Sequence, residues 1–308
     1  MTSNFWESTH AYQWLVDDVA LVAARQRDLQ FISSDDVVKI MLYYSNFVQK
    51  ACKRLHVRQP VVGTALVYWR RFFTKQVDSM QSGNALYDID PMLVAGTCIY
   101  VACKIEECPH HIRNVANEMR ALGGAYYLGD LFPYDATAIA DFEFYLIEEL
   151  EFSLIMFHPY KPLQLILEKL NLTKKCLQTA WYVVNDTFKT DLHLIYPPHM
   201  IAIAAIFIVT CIQDTESASK SRIPGAPIQD TSSRSIVMPF FIDLNVDMRD
   251  VLAITQRIFN LYDVWQEYSE EKIPELIDKF PKVPTLEMES GVAKSTLPTT
   301  PAKQPNKH

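Results

Sequence analysis

Apolar positions recur with helical spacing along almost the whole chain. Positions 12, 15, 16, 19, 22 and 23 predict an N-terminal helix, preceded by the aromatic pair Phe5-Trp6. Ser33-x-x-Asp36 has the form of a capping box, and positions 37, 40, 41, 44, 47, 48, 51 and 55 after it mark one apolar face. Pro60 opens a helix carrying Val61, Thr64, Ala65, Tyr68 and Phe72, and a loop at Gln81-Ser-Gly-Asn84 follows. Asp90 is a good N-cap and Pro91 is pre-shaped for the first helical position, so another helix starts there. A helix near 111–121, a Gly/Tyr-rich loop at 123–133 and a helix from about Asp135 to Phe152 complete five helices after the N-terminal one.

The helix from Pro91 is apolar on every side. From Met92 to Cys103 no charge occurs, and Ala95, Gly96 and Ala102 let neighbouring helices approach closely. A bilayer needs about 20 apolar residues, so this run reads as a buried central helix. It ends in Lys104-Ile-Glu-Glu107, which puts an ammonium at the edge of a core. The second half repeats the design: Pro197-Pro198 opens Met200 to Ile212, again apolar and rich in small residues. Setting Pro91 against Pro198 aligns Ala95 with Ala202, Ile99 with Ile206 and Tyr100 with Phe207. Helices near 161–171, 175–190 and 248–268 surround this copy, so it too has about five. Cys211 stands where the first copy has Lys104, so the charged feature belongs to one unit only and points to function rather than folding.

An all-α chain in two tandem five-helix units follows. Its parts are an N-terminal helix and approach at 1–33, a first unit at 34–155, a second at 156–272 and a tail at 273–308. Asp214 to Ser235, rich in Ser, Thr, Pro and Gly, reads as a flexible insertion in the second unit, and the tail reads as disordered. Thr300-Pro301 in the tail has the form of a proline-directed phosphorylation site, a dipeptide common by chance. With 308 residues and 49% apolar content, the length favours two domains, and 8 glycines fit poorly with glycine-rich nucleotide-binding turns. A net charge of −7 argues against binding nucleic acid chiefly by phosphate neutralisation. The six cysteines include no C-x-x-C pair and read as reduced core residues in a cytosolic or nuclear setting. The N-terminus has neither the basic nor the apolar region of a secretory signal.

Little in the chain suggests catalysis. Cys103, Cys108, His110 and His111 lie close together, but their spacing matches no structural zinc pattern and no metal is expected. In Phe142-Glu-Phe-Tyr-Leu-Ile-Glu-Glu-Leu-Glu151, the helical period turns Phe142, Tyr145, Leu146 and Leu150 inward and leaves Glu148, Glu149 and Glu151 solvated. Glu143 falls outside that polar stripe. Walker loops, Gly-x-Ser-x-Gly, His-Glu-x-x-His and dinucleotide turns are absent from the sequence, so neither a cofactor nor turnover by this chain alone is expected.

At this point the residues resemble the cyclins. Ala102-Cys-Lys-Ile-Glu-Glu107 and Phe142-Glu-Phe-Tyr-Leu146 are similar to the first cyclin box. Asn4-Phe-Trp-Glu-Ser-Thr-His10, Arg25-Gln-Arg-Asp-Leu29, Phe157-His-Pro-Tyr160, Val184 to Asp191 and Tyr196-Pro-Pro198 resemble the branch of the family that serves the Mediator kinase module. The resemblance runs from residue 4 to about 270 and implies a noncatalytic, nuclear regulatory subunit of a cyclin-dependent kinase acting on transcription by RNA polymerase II. It implies that Lys104 and Glu143 bridge to main-chain groups just before the kinase's αC helix. That would seat the αC glutamate against the ATP-orienting lysine, a pairing phosphoryl transfer requires. Read without the family, Lys104 is a helix C-terminal cation favoured by the dipole.

Cell-cycle cyclins carry Met-Arg-x-x-Leu-x-x-Trp to dock substrates, where this chain has Val37-Val-Lys-Ile-Met-Leu-Tyr-Tyr44, so docking of that kind is not expected. Asn185 and Asp186 are poor formers in mid-helix. Either they are simply exposed, or with Trp6 they line a groove between boxes that holds another Mediator kinase-module subunit. A cyclin-fold general transcription factor binding DNA and protein is the alternative, and Lys53-Arg54, Arg58 and Arg70-Arg71 are its candidate basic patch.

Overall fold

In a computed structural model the described residues are 4–74, 84–123, 132–220 and 233–281. They form helices joined by turns, with no strand among them. Two short helices, α1 (Thr9–Tyr12) and α2 (Asp18–Ala24), precede α3 (Ser34–Arg54), α4 (Gln59–Thr74), α5 (Pro91–Ile105), α6 (Ile112–Gly123) and α7 (Ala136–Glu149). Next come α8 (Tyr160–Lys169), α9 (Lys174–Thr187), α10 (Leu192–Ile195), α11 (Pro198–Lys220), α12 (Ser233–Asp243), α13 (Met248–Glu267) and α14 (Ile273–Ile277).

The two apolar helices are the hubs of the fold. Helix α5 touches α3, α4, α6 and α7, and α11 touches α8, α9, α12 and α13. Small residues make this close packing feasible, and Ala95, Ala102, Ala202, Ala204 and Ala205 are fully buried. Side-chain caps start the helices at Ser33 and Asp90 as the sequence predicts, Ser33 accepting from Asp36 N and Asp90 from Met92 N, and in two further caps Asp135 accepts from Ala138 N and Thr173 from Cys176 N.

Helix α11 runs further than its apolar core suggests. Residues 214–220 of the expected insertion continue the helix and 233–235 begin α12, while the stretch between lies outside the described residues. Its 18-residue window Pro198–Thr215 is long and apolar enough to cross a membrane, but it is a core helix with α8, α9, α10, α12 and α13 packed around it. Helix α12 was hidden by Pro239 within it and by the polar run before it, although Val237 and Phe241 are buried one turn apart.

Two other expectations need correction. The single N-terminal helix is broken at Gln13–Val16, where Asp17 caps α2 through Ala20 N and Val16 N donates to the Leu194 carbonyl. The tail is folded as far as residue 281: α14 packs on α3, Ile273 is 1% exposed, and the Phe280 ring meets Phe31 and Tyr87. Lys50–Glu270 and Lys279–Asp36 ion pairs hold this segment to the first unit. The loop at 81–83, most of 123–133 and Thr300-Pro301 lie outside the described residues.

Candidate functional site

Lys104 sits in the last turn of α5, where the buried hub helix reaches the surface. Eleven of the fifteen residues of this helix are buried, but the Lys104 side chain is 40% exposed. Its ammonium donates to Glu143 Oε1 of α7 and lies 4.5 Å from the centre of the Tyr100 ring, one helical turn back. The Glu143 side chain is only 13% exposed. Phe142 and Leu146, its neighbours on α7, are buried, so the packing that anchors α7 to α5 also fixes the carboxylate. The structure thus brings Lys104 and Glu143 together as one exposed, oriented pair.

Glu106, two residues on from Lys104, points the other way. Its carboxylate accepts from Thr64 Oγ1 at 2.6 Å, and His158 Nε2 stands 3.4 Å off. Burial pushes this carboxyl up, but the hydrogen bonds to His158 and Thr64 prevail and hold it below the usual range. Of the two glutamates in the motif, Glu106 therefore ties α5 to α4 and to the segment leading into the second unit. Glu107 ends the helix at φ 52°, a left-handed conformation costly for a residue with a Cβ. Glu151 and Phe152, just past α7, adopt the same region at φ 50° and 58°. Non-glycine strain of this sort persists where surrounding structure enforces it. Phe144, next to Glu143 on α7, is 77% exposed, and Phe152 and Ile155 beyond that helix are 75% and 67% exposed. An exposed phenylalanine inside an otherwise inward-facing aromatic run is the sequence signal that would have found the first of them.

Trp6 is 62% exposed, edge-on to Phe5 and His199. Asn185 and Asp186 are half-buried rather than exposed, and each has a structural partner. Asn185 Oδ1 accepts from the Tyr160 hydroxyl at 2.9 Å, Asp186 accepts from Tyr262 at 3.3 Å, and Lys189 lies 3.8 Å from Asp186. These bonds account for two poor helix formers in mid-helix.

Of the candidate basic patch, Lys53, Arg54 and Arg58 are exposed and only Arg70 and Arg71 lie in the interior. Arg70 is 2% exposed and Arg71 fully buried, Arg54 is paired with Glu118, and Arg58 donates to the Glu106 carbonyl. Arg70 donates to Asp191 at 2.7 Å, to the Phe188 carbonyl at 3.2 Å, to Ser45 and to the Lys189 carbonyl, while Arg25 reaches Asp191 from the other side at 2.8 Å. These arginines staple the N-terminal segment and the two units together. The zinc candidate dissolves similarly, because Cys103 is fully buried and burial pushes its thiol up to about 12; among the described residues no cluster of His, Cys, Asp and Glu could hold a metal.

A helical repeat around two apolar hubs, with one charged pair at the end of the first, defines a cyclin-type scaffold. The family model for the cyclin N-terminal domain matches residues 23–155. Cyclin-C of Drosophila melanogaster is 33% identical over 287 residues, covering 92% of this chain and 97% of the fly protein. The RNA polymerase II holoenzyme cyclin-like subunit of Kluyveromyces lactis is 36% identical over 263 residues, covering 83% of this chain and 77% of that one. Among solved structures, a chain of the yeast TFIIK complex superposes with a TM-score of 0.59 at 20% identity, covering 83% of this chain and 99% of its own. The chain belongs to the cyclin family. Its likeness to Cyclin-C extends along nearly the whole sequence.

Proposed function

We propose that this chain is a noncatalytic regulatory subunit that binds and activates a cyclin-dependent kinase of the Mediator-associated type, acting in the nucleus on transcription by RNA polymerase II. The observation that carries the reading is the Lys104–Glu143 pair, oriented by two packed helices where α5 reaches the surface, in a chain similar to Cyclin-C over nearly its full length. The chemistry suits docking. An exposed ion pair is worth about 0–1 kcal/mol, so little is lost when the two side chains exchange partners. Lys104 then offers N–H donors to kinase carbonyls and Glu143 offers acceptor oxygens to kinase amides, while the exposed aromatics supply apolar area. Fixing main chain just ahead of the kinase's αC helix would set the αC glutamate against the ATP-orienting lysine.

Copurification with candidate cyclin-dependent kinases, followed by a kinase assay, tests the reading. Lys104→Ala and Glu143→Ala are expected to weaken kinase binding by about tenfold or more while the unfolding midpoint stays within about 1 kcal/mol of wild type. Unchanged affinity in titration calorimetry would remove the assignment. For a further kinase-module subunit, exposed Trp6 is the proposed anchor, with Asn185 and Asp186 proposed to line the groove that would hold it. Crosslinking that placed that subunit on the opposite face would refute this.

A further inference from the structure

Two adjacent arginines on α4 are equally buried but unequally satisfied. Arg70 has a carboxylate, two carbonyls and a hydroxyl around it. Arg71 has one carbonyl, that of Ser153, which accepts from Nη1 at 3.0 Å, and its Cζ stands 4.7 Å above the Trp14 ring. The groups acting on its charge are burial, which pulls the guanidinium down to about 9, and the Tyr68 hydroxyl, with no carboxylate among them. Nε and Nη2 have no hydrogen-bond partner although Arg71 is fully buried. These two nitrogens form one edge of the guanidinium, the fork that grips an anion side-on.

The side chains covering Arg71 come from the N-terminal segment, and they bring further donors. Trp14 is 6% exposed and its Nε1–H is unpartnered. His10 is 1% exposed, and its Nδ1 accepts from Phe157 N–H at 3.3 Å, which puts the proton of the neutral ring on Nε2. The His193 backbone acts on this ring as a hydrogen-bond partner, so the unmatched donors are those of Arg71 and Trp14. Burial and then the Arg71 charge push His10 down to about 3, so the ring is neutral and Arg71 carries the positive charge of the pair. Unmatched donors around an unbalanced positive charge call for a ligand that only accepts.

We propose that the Nε/Nη2 edge of Arg71, against Trp14, is a buried binding site for a small monovalent inorganic anion of halide size. The anion would balance the charge of Arg71 and help fasten the N-terminal segment over the first unit.

Sodium chloride and sodium bromide, compared with sodium methanesulfonate at equal ionic strength, test this on the full chain by thermal unfolding. A saturable halide-specific rise in unfolding temperature of about 2–4 °C is expected for wild type and none for Arg71→Met. Wild-type crystals grown in bromide provide a readout that does not need the variant to fold. An anomalous peak within hydrogen-bonding distance of Arg71 Nε supports the site. Water density at that edge, or equal unfolding temperatures in all three salts, overturns it.

Discussion

Asp191→Ala is the substitution that most directly tests the buried network joining the N-terminal segment and the helices around α5 to those around α11. Asp191 accepts from Arg70 and Arg25, and the Arg70 side chain is 2% exposed, so deletion leaves a guanidinium in the interior without a counter-charge. Breaking a buried pair from one side costs about 3–5 kcal/mol. Asp191 also occupies the N-cap position of α10 but makes no side-chain cap bond, so the loss is not one of capping. Asp191→Asn keeps one acceptor and should cost about 1.5–3 kcal/mol, the range for a hydrogen bond to a charged group. Arg25→Met, which leaves the Arg70–Asp191 contact intact, should cost about 1 kcal/mol or less. Urea midpoints followed by circular dichroism at pH 7 give the ranking. The pH dependence has a definite sign, because desolvation raises this carboxyl while Arg25 and Arg70 outweigh it and hold it well below the usual carboxylate range. A depressed carboxyl contributes stability above its unfolded value of about 3.9 and loses it as pH falls toward the folded value. The gap between wild type and Asp191→Asn should therefore be constant from neutrality to about pH 4 and close below it. An Asp191→Ala penalty under about 1 kcal/mol, or an inverted ranking, would refute the reasoning.

Tyr100→Leu should lower kinase affinity about 2–5-fold while Tyr100→Phe leaves it unchanged, because the ring face under the Lys104 ammonium is what matters; calorimetric titration with the kinase distinguishes them. Phe280→Ala empties the contact with Phe31 and Tyr87 and should cost about 3 kcal/mol, with hydrogen exchange of 273–281 accelerated ahead of the rest of the fold. Asp28 is 2% exposed, and burial pushes its carboxyl up to about 6, above its unfolded value, so its ionisation destabilises the fold as pH rises from about 4 to 6. Asp28→Asn should stabilise the protein by about 1–3 kcal/mol at pH 7 and have little effect at pH 4, as read by urea unfolding at both.

The hub helices were legible because a segment apolar on every side has only one place to go in a soluble fold, and its caps and prolines are local features of the chain. Lys104 was legible as the one charge breaking the symmetry between repeats, and Glu143 as a carboxylate outside its helix's polar stripe. What sequence periodicity could not supply was the destination of side chains whose partners lie far along the chain. Arg70-Arg71 read as surface basicity because a charged pair in sequence carries no mark of burial, and the marks that do exist, Asp191 and the Phe188 carbonyl, lie about 120 residues away. At 273–281 a signal was present, since Ile273, Leu276, Ile277 and Phe280 have helical spacing, but the stretch is short and its packing against α3, Phe31 and Tyr87 is set by partners far along the chain.

This division has a consequence for how the candidate site works. Lys104 and Glu143 pair across two helices of one unit, so that unit alone positions them. Arg70 and Asp191, with Glu106 and His158, instead join that unit to the second. The scaffold therefore keeps Arg70–Asp191 inside, where it fixes how the units sit, and Lys104–Glu143 at the surface, where pairs such as Lys50–Glu270 and Arg54–Glu118 also lie. A variant of the inner set should change stability and the docking surface together, whereas Lys104→Ala should change docking alone. That contrast is what separates a docking lysine from a helix-end cation, since both would look alike in stability measurements and only the first would be felt by a kinase.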